Sequence, residues 1–265
     1  MSTHLKDNPI HFIVEGQGPP VILLHGIAAS LHIWQALIPS LASAGYQLYA
    51  ADLPGHGDSA KFDGPHMYHS KMVSALLEDW IDGLGLAEPP LLVGHSLGGY
   101  FSLVYALQHP ERLRGLVLVD PFFSHKQLSP FLRLVSRRPR LGVKMVRLLP
   151  AWLVTTAIHL DPSSAIRGAP RLERQKASDY MRASPLILHT PGTMLDLTPH
   201  LASISTRTLV IWGKRDHTLR PSSFPRLVRM LPNAVGRPIP RCGHLPHLVK
   251  ADLVAPMLVE FFHDG

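Results

Sequence analysis

The chain has 265 residues, 46% of them hydrophobic, which suffices for a sizeable core in one large domain or two small ones and excludes a disordered chain. Its one cysteine, Cys242, excludes an internal disulfide framework and a multi-cysteine metal site. Residues 1–9 are polar and the apolar stretch 148–160 is too short to span a bilayer, so a soluble, cytoplasmic protein is expected. The net charge of +7 gathers in residues 121–150, where Lys126, Arg133, Arg137, Arg138, Arg140, Lys144 and Arg147 meet no acid; with no basic-aromatic platform beside them, nucleic acid is not the expected partner.

In chain order, residues 11–14 and 21–24 read as strands joined by Gly16-Gln17-Gly18-Pro19-Pro20, the pattern of a hairpin. His25-Gly26-Ile27-Ala28 follows, then a helix over 30–41 with Trp34, Leu37, Ile38 and Leu41 on one face. A strand over 46–53 ends in the turn Pro54-Gly55-His56-Gly57-Asp58-Ser59. Val73, Leu76, Leu77, Trp80 and Ile81 predict a helix over 70–86. Residues 91–95 and 113–120 read as buried strands on either side of a helix that ends at Gln108-His109-Pro110. Regular alternation of strand and helix predicts a predominantly parallel, doubly wound sheet.

At Pro121 the rhythm breaks, and to about Thr206 the pattern is helical and punctuated by prolines. It resumes with a strand over 208–212, the turn Gly213-Lys214-Arg215-Asp216, a helix over 222–231, a strand over 235–239 and a helix over 248–263. Residues 1–120 and 207–265 therefore read as one α/β core, and 121–206 as an insertion between two of its strands.

Within that frame Gly94-His95-Ser96-Leu97-Gly98-Gly99 places a serine at a tight strand-to-helix turn. Such a turn strains the serine backbone, pushes its hydroxyl outward and offers a helix N-terminal N–H to a developing oxyanion. Ligands of open parallel sheets bind at the carboxyl ends of the strands. The polar residues at those ends are His25, Asp52, Ser96, Asp120, Asp216 and His244, and three of them can form a Ser-Asp-His relay in chain order.

Taken together, His25-Gly26, Asp52 to Ser59, the Ser96 turn, Gly213 to Asp216 and Cys242-Gly243-His244 resemble the α/β-hydrolase fold family. The resemblance covers nearly the whole chain outside 121–206, which holds the place of the family's variable helical lid. It implies Ser96 as nucleophile, His244 as general base, Asp216 as orienting acid, and an oxyanion hole from the backbone N–H groups of Ile27 and Leu97. Asp120 is the alternative acid, because some members place the carboxylate there. His25, His56, Asp52 and Asp58 are expected to shape loops, while His25, His95 and His247 also join the candidates for the substrate pocket. A serine at 96 departs from the epoxide hydrolases and haloalkane dehalogenases of the family, which carry an aspartate there. Leu97 departs from the methionine of the carbon–carbon-bond hydrolases.

In the insertion, Leu141, Met145 and Leu148 fall on one helical face beside Val146 and Leu149, with Lys144 and Arg147 on another. Two readings stand open: a packed cap with a solvated basic face, or a surface that makes weak contact with anionic membrane. Phe122, Phe123, Phe131, Trp152, Leu153 and Met181 are candidates for an apolar pocket wall. The expected function is hydrolysis of apolar acyl or aromatic carboxylic esters through an acyl-enzyme, with no metal and no organic cofactor. Thioester or carbon–carbon hydrolysis, or a slow-turnover ligand receptor, are the alternatives.

Overall fold

In the computed structural model, residues 2–4, 8–136, 138–140, 143–144, 156 and 170–264 are described. Eight strands form one sheet: β1 Ser2–His4, β2 His11–Glu15, β3 Pro20–Leu24, β4 Gln47–Ala51, β5 Leu91–His95, β6 Gly115–Val119, β7 Thr208–Gly213 and β8 Ala234–Ile239. Their spatial order is β1-β2-β4-β3-β5-β6-β7-β8. β1 and β2 are antiparallel to their neighbours, and the six strands from β4 to β8 in that order are mutually parallel.

The described helices are α1 Ile38–Ser43, α2 Ser70–Gly83, α3 Leu97–Gln108, α4 Pro130–Ser136, α5 Pro170–Arg182, α6 His189–Thr193, α7 Phe224–Met230, α8 Pro246–Val249 and α9 Ala251–His263. Why they cover both sheet faces follows from the period of two in the strands. Ile22 and Leu24 of β3, Leu92 of β5, and Leu116 and Leu118 of β6 pack into one cluster with Trp80 of α2, Phe101 and Leu103 of α3, and Leu227 of α7. The intervening Val21, Leu23, Val93, Val117 and Val119 pack into a second cluster with Leu41 of α1 and Val254, Leu258 and Phe262 of α9. Every residue of β3, β5, β6 and β7 is buried. Truncating one of these leucines to alanine would cost about 2–5 kcal/mol.

Three expectations are corrected here. β2 and β3 do not form a hairpin: β4 lies between them, antiparallel to β2 and parallel to β3. The short Gly-Pro link turns the chain without pairing its flanks, because β3 completes both of its ladders with the parallel strands β4 and β5. The helix expected over 30–41 is a 3₁₀ turn, Leu31–Trp34, followed by α1 with a proline in its first turn. Pro39 has no N–H and suits a helix start, so the chain restarts there. The last helix is likewise divided into α8 and α9, at Lys250.

The segment between β6 and β7 has two characters. Its described ends belong to the core: Phe122, Phe123, Met194, Leu197, Leu201 and Ile204 all sit in the first apolar cluster. Between them α5 reaches back to the core, where Asp179 pairs with His32 at 3.5 Å and Arg182 pairs with Asp58. Val143 is buried and Lys144 exposed. The remainder of the helix expected there, Leu141, Met145, Val146, Arg147, Leu148 and Leu149, lies outside the described residues, as do Trp152, Leu153 and the Phe131 side chain. No helix among the described residues is long and apolar enough to cross a membrane.

Candidate active site

Ser96 follows β5 and caps α3 with φ 50° and ψ −110°, a left-handed conformation that a residue with a side chain adopts only under constraint. The constraint is visible in the backbone: Ser96 N–H donates to the Val119 carbonyl at 3.0 Å, and the Ser96 carbonyl accepts from Phe122 N–H at 3.0 Å and Tyr100 N–H at 3.1 Å. Two glycines make the turn fit. A Cβ at Gly94 would strike the Ser102 hydroxyl and the Gly98 carbonyl, and one at Gly98 would strike the Leu24 carbonyl of the adjoining strand. Leu97 is the first residue of α3, so its N–H belongs to the helix end that has no intrahelical acceptor.

His244 lies beyond β8 and donates from Nδ1 to Asp216 Oδ2 at 2.7 Å. Asp216 Oδ1 accepts from Thr218 N–H at 2.7 Å and Leu219 N–H at 3.0 Å. Burial favours the neutral acid, but the charge and hydrogen bond of His244 and these two N–H groups outweigh it and hold the Asp216 carboxyl below its ordinary range. An ionised acid on Nδ1 leaves Nε2 as the basic nitrogen, the tautomer a general base needs.

Ser96 and His244 line a cavity of about 280 Å³, together with Gly26, Ile27 and Ala28 after β3 and Leu172, Gln175, Lys176, Asp179 and Tyr180 of α5. The sequence brought Ser96, Ile27, His95 and His244 to attention. The α5 residues were missed, because helical periodicity alone does not tell which face of an inserted helix meets the core. Of the other pocket candidates, His25, Phe122, Phe123 and His247 are buried but are not among the lining residues. His25 is a loop brace, with Nδ1 on the Gly26 carbonyl at 2.7 Å and Nε2 accepting from Leu53 N–H at 2.9 Å. Phe122 packs on Tyr100 and His125, and Phe123 belongs to the core. Met181, expected in the wall, is exposed.

Comparison with known proteins fits this geometry. The alpha/beta hydrolase fold family profile matches residues 19–140. Haloalkane dehalogenase 2 of Mycobacterium tuberculosis is 28% identical, over 96% of this chain and 91% of its own. A 2-hydroxy-6-oxo-6-phenylhexa-2,4-dienoate hydrolase of Burkholderia cepacia is 27% identical, over 98% and 93%. Among solved structures, a thermophilic esterase of Thermogutta terrifontis superposes with a TM-score of 0.82 at 26% identity, covering 96% of this chain and 93% of that one. The chain is a hydrolase with the α/β-hydrolase fold.

Around its candidate site the hydrolase carries buried histidines that stay neutral. His95 bonds the His244 carbonyl through Nε2 at 2.8 Å, and burial, with His247 and His244 beside it, pushes it well below the usual imidazole range. His247 lies between Trp34 and His95, at ring-centre distances of 4.6 and 4.5 Å, and burial lowers it to about 3. The same effect lowers His56 to about 3. The Cys242 thiol is buried and pushed up to about 12, which removes the thiolate that redox chemistry would need.

The described residues bring three metal-capable atoms within 4.8 Å of one another in two places, His11-Asp52-Asp58 and Asp120-Asp216-His244. In the first, Asp52 already accepts from His11 Nδ1 at 3.0 Å, Leu31 N–H at 2.8 Å and Asp58 N–H at 2.9 Å, so it ties β2 and two loops together. The sequence marked Asp52 and Asp58 as loop residues; the partner His11, 41 positions away, was not legible. In the second place Asp216 is engaged by His244 and two backbone donors, which leaves Asp120 to be explained.

Proposed function

We propose that this hydrolase cleaves carboxylic esters of apolar acyl or aromatic substrates through an acyl-enzyme on Ser96. The observation that carries this reading is the serine held at φ 50° in the wall of a cavity also lined by a histidine paired with an ionised carboxylate. Ser96 Oγ attacks the ester carbonyl as His244 Nε2 takes its proton. The N–H groups of Ile27 and Leu97 hold the oxyanion, and collapse expels the alcohol with the proton from His244. Water, deprotonated by the same base, then releases the acid.

Chemistry separates this reading from that of the dehalogenase relative. A serine oxygen displacing halide from a saturated carbon would give an alkyl ether, which neither water nor an imidazole can cleave. Attack on an acyl carbon gives an ester that water can release, so acyl transfer is the turnover that Ser96 supports. The carbon–carbon reading is the second one, favoured by the 27% identical dienoate hydrolase matched over nearly the whole chain. A thioester would pass through the same acyl-enzyme.

The position of α5 supports reading the insertion, 121–206, as a lid: five of its residues wall the cavity that Ser96 faces. The volume of about 280 Å³ falls at the low end for small-molecule sites, which points to short acyl chains. The test is p-nitrophenyl ester hydrolysis across acyl lengths, with burst kinetics and fluorophosphonate labelling. Activity should peak at short chains, and Ser96→Ala should abolish labelling and lower kcat by a factor on the order of 10⁶. Turnover of a dienoate ring-fission substrate with none of any ester would favour the carbon–carbon reading. Failure of the intact protein to label would sink the nucleophile assignment.

A further inference from the structure

The proposed relay leaves one carboxyl over. Asp120 follows β6 at zero solvent exposure, in a left-handed backbone conformation at φ 42° that its surroundings must impose. Its N–H donates to the Ile211 carbonyl at 2.8 Å and its Oδ1 accepts from Gly213 N–H at 3.0 Å. Its Oδ2 receives no hydrogen bond from any described donor. One carboxylate oxygen of Asp120, one of Asp216 and a ring nitrogen of His244 all lie within 4.8 Å of one another.

Two buried carboxyl groups this close do not both ionise; the pair carries one charge and one proton. The donors decide where the charge sits. Asp216 has the His244 ring and two backbone N–H groups, against a single N–H on Asp120. Burial and the neighbouring Asp216 charge accordingly push Asp120 well above the ordinary carboxylate range while Asp216 stays below it. A carboxylic O–H that no donor approaches requires an acceptor, and the neighbouring acceptor is the ionised Asp216, one of whose oxygens lies within 4.8 Å of an Asp120 oxygen.

We propose that Asp120 is a positioning residue: it retains a proton on Oδ2 and donates it in a hydrogen bond to the Asp216 carboxylate, locking Asp216 in the rotamer that faces His244. This rests on Asp216 and His244 being acid and base. The proton stays on Asp120 throughout turnover. When His244 takes the Ser96 proton, the carboxyl pair opposes the imidazolium with one negative charge.

The experiment compares Asp120→Asn with Asp120→Ala. In the Asp120→Asn variant the amide N–H can replace the carboxylic O–H toward Asp216 while the amide oxygen keeps Gly213; alanine does neither. The kcat/KM pH profile of Asp120→Ala should show its acid limb raised by about 0.5–1 unit, because Asp216 loses a donor to its charged form and His244 then feels that charge undiluted. Its kcat should fall by about ten- to a hundredfold with KM changed far less. Asp120→Asn should recover at least tenfold of that kcat, with the acid limb at its natural position. The deshielded His244 Nδ1 proton, followed by NMR, should stay sharp in Asp120→Asn and broaden in Asp120→Ala as Asp216 samples other rotamers.

If Asp120 is instead the ionised acid, Asp120→Asn removes a negative charge beside His244 and lowers the acid limb, which overturns the proposal. Should Asp120→Ala not fold, the acid limb of Asp120→Asn alone decides. Asp216→Asn separates the underlying assignment, since retention of its activity would remove Asp216 as the acid whatever Asp120 does.

Discussion

At Ser96 the backbone is held in a region that costs a residue with a side chain on the order of 1–3 kcal/mol. Three backbone hydrogen bonds hold it there, and the absence of a Cβ at residue 98 leaves room for them. Gly98→Ala tests how tightly. The added methyl would meet the Leu24 carbonyl, a main-chain atom that cannot swing aside, so β3 and α3 must separate. A loss of about 1–3 kcal/mol in urea denaturation is expected, with slower fluorophosphonate labelling of Ser96. Unchanged stability would show that the turn has slack. At this scale much was legible. Gly94, Ser96, Gly98 and the Gly243-His244 pair stand close enough in sequence for local pattern to carry them. The resemblance named Asp216 as the acid with Asp120 as alternative, and residue pattern alone did not separate the two, because both follow strands; the difference between them is the number of donors around each, which only tertiary structure sets.

At the scale of elements, polar side chains of α5 join it to the core. Asp179, buried within its helix, holds His32 of the 3₁₀ turn after β3 and accepts from Gln175 Nε2 at 2.9 Å, and Arg182 pairs with Asp58. The hydrogen bond from His32 to Asp179 raises the imidazole pKa, and partial burial works against it. A raised folded pKa contributes stability that is full below the unfolded value of about 6.5 and fades as pH rises through the folded value. His32→Gln should therefore lower Tm at pH 5.5 and have progressively less effect toward pH 9. The effect should be modest, since the His32 side chain is 40% exposed. An equal loss at both pH values would mean that packing, and not charge, joins helix and core. This contact was illegible from sequence. The 143 residues separating His32 from Gln175 give no local clue, and Asp179 on a polar helix reads as a solvated residue until the helix is docked.

For the whole molecule, doubly wound character was legible because β3, β5, β6 and β7 are apolar but for His95 and Thr208 at their ends, as strands buried on both faces require. Strand order was not: pairing of β2 directly with β4, past β3 in the sequence, is a nonlocal outcome that no turn motif encodes. The long-range charge distribution, by contrast, is a property of composition that the fold sharpens. Arg138, Arg140, His66, His69 and His189 surround one open groove whose described lining contains no acid, and Leu132, Leu134, Met181 and Leu195 of the insertion are exposed. Basic side chains near an anionic surface contribute on the order of 1 kcal/mol each, and salt screens them within about 10 Å at 0.1 M. The expected outcome is flotation with phosphatidylserine-containing vesicles at low salt, lost at about 0.5 M salt and absent with neutral phosphatidylcholine. Replacing Arg138 and Arg140 with glutamine should weaken it while ester hydrolysis in solution continues. Flotation that survives high salt would mean the exposed leucines insert, and none at low salt would leave the basic face as the solvated side of a packed cap.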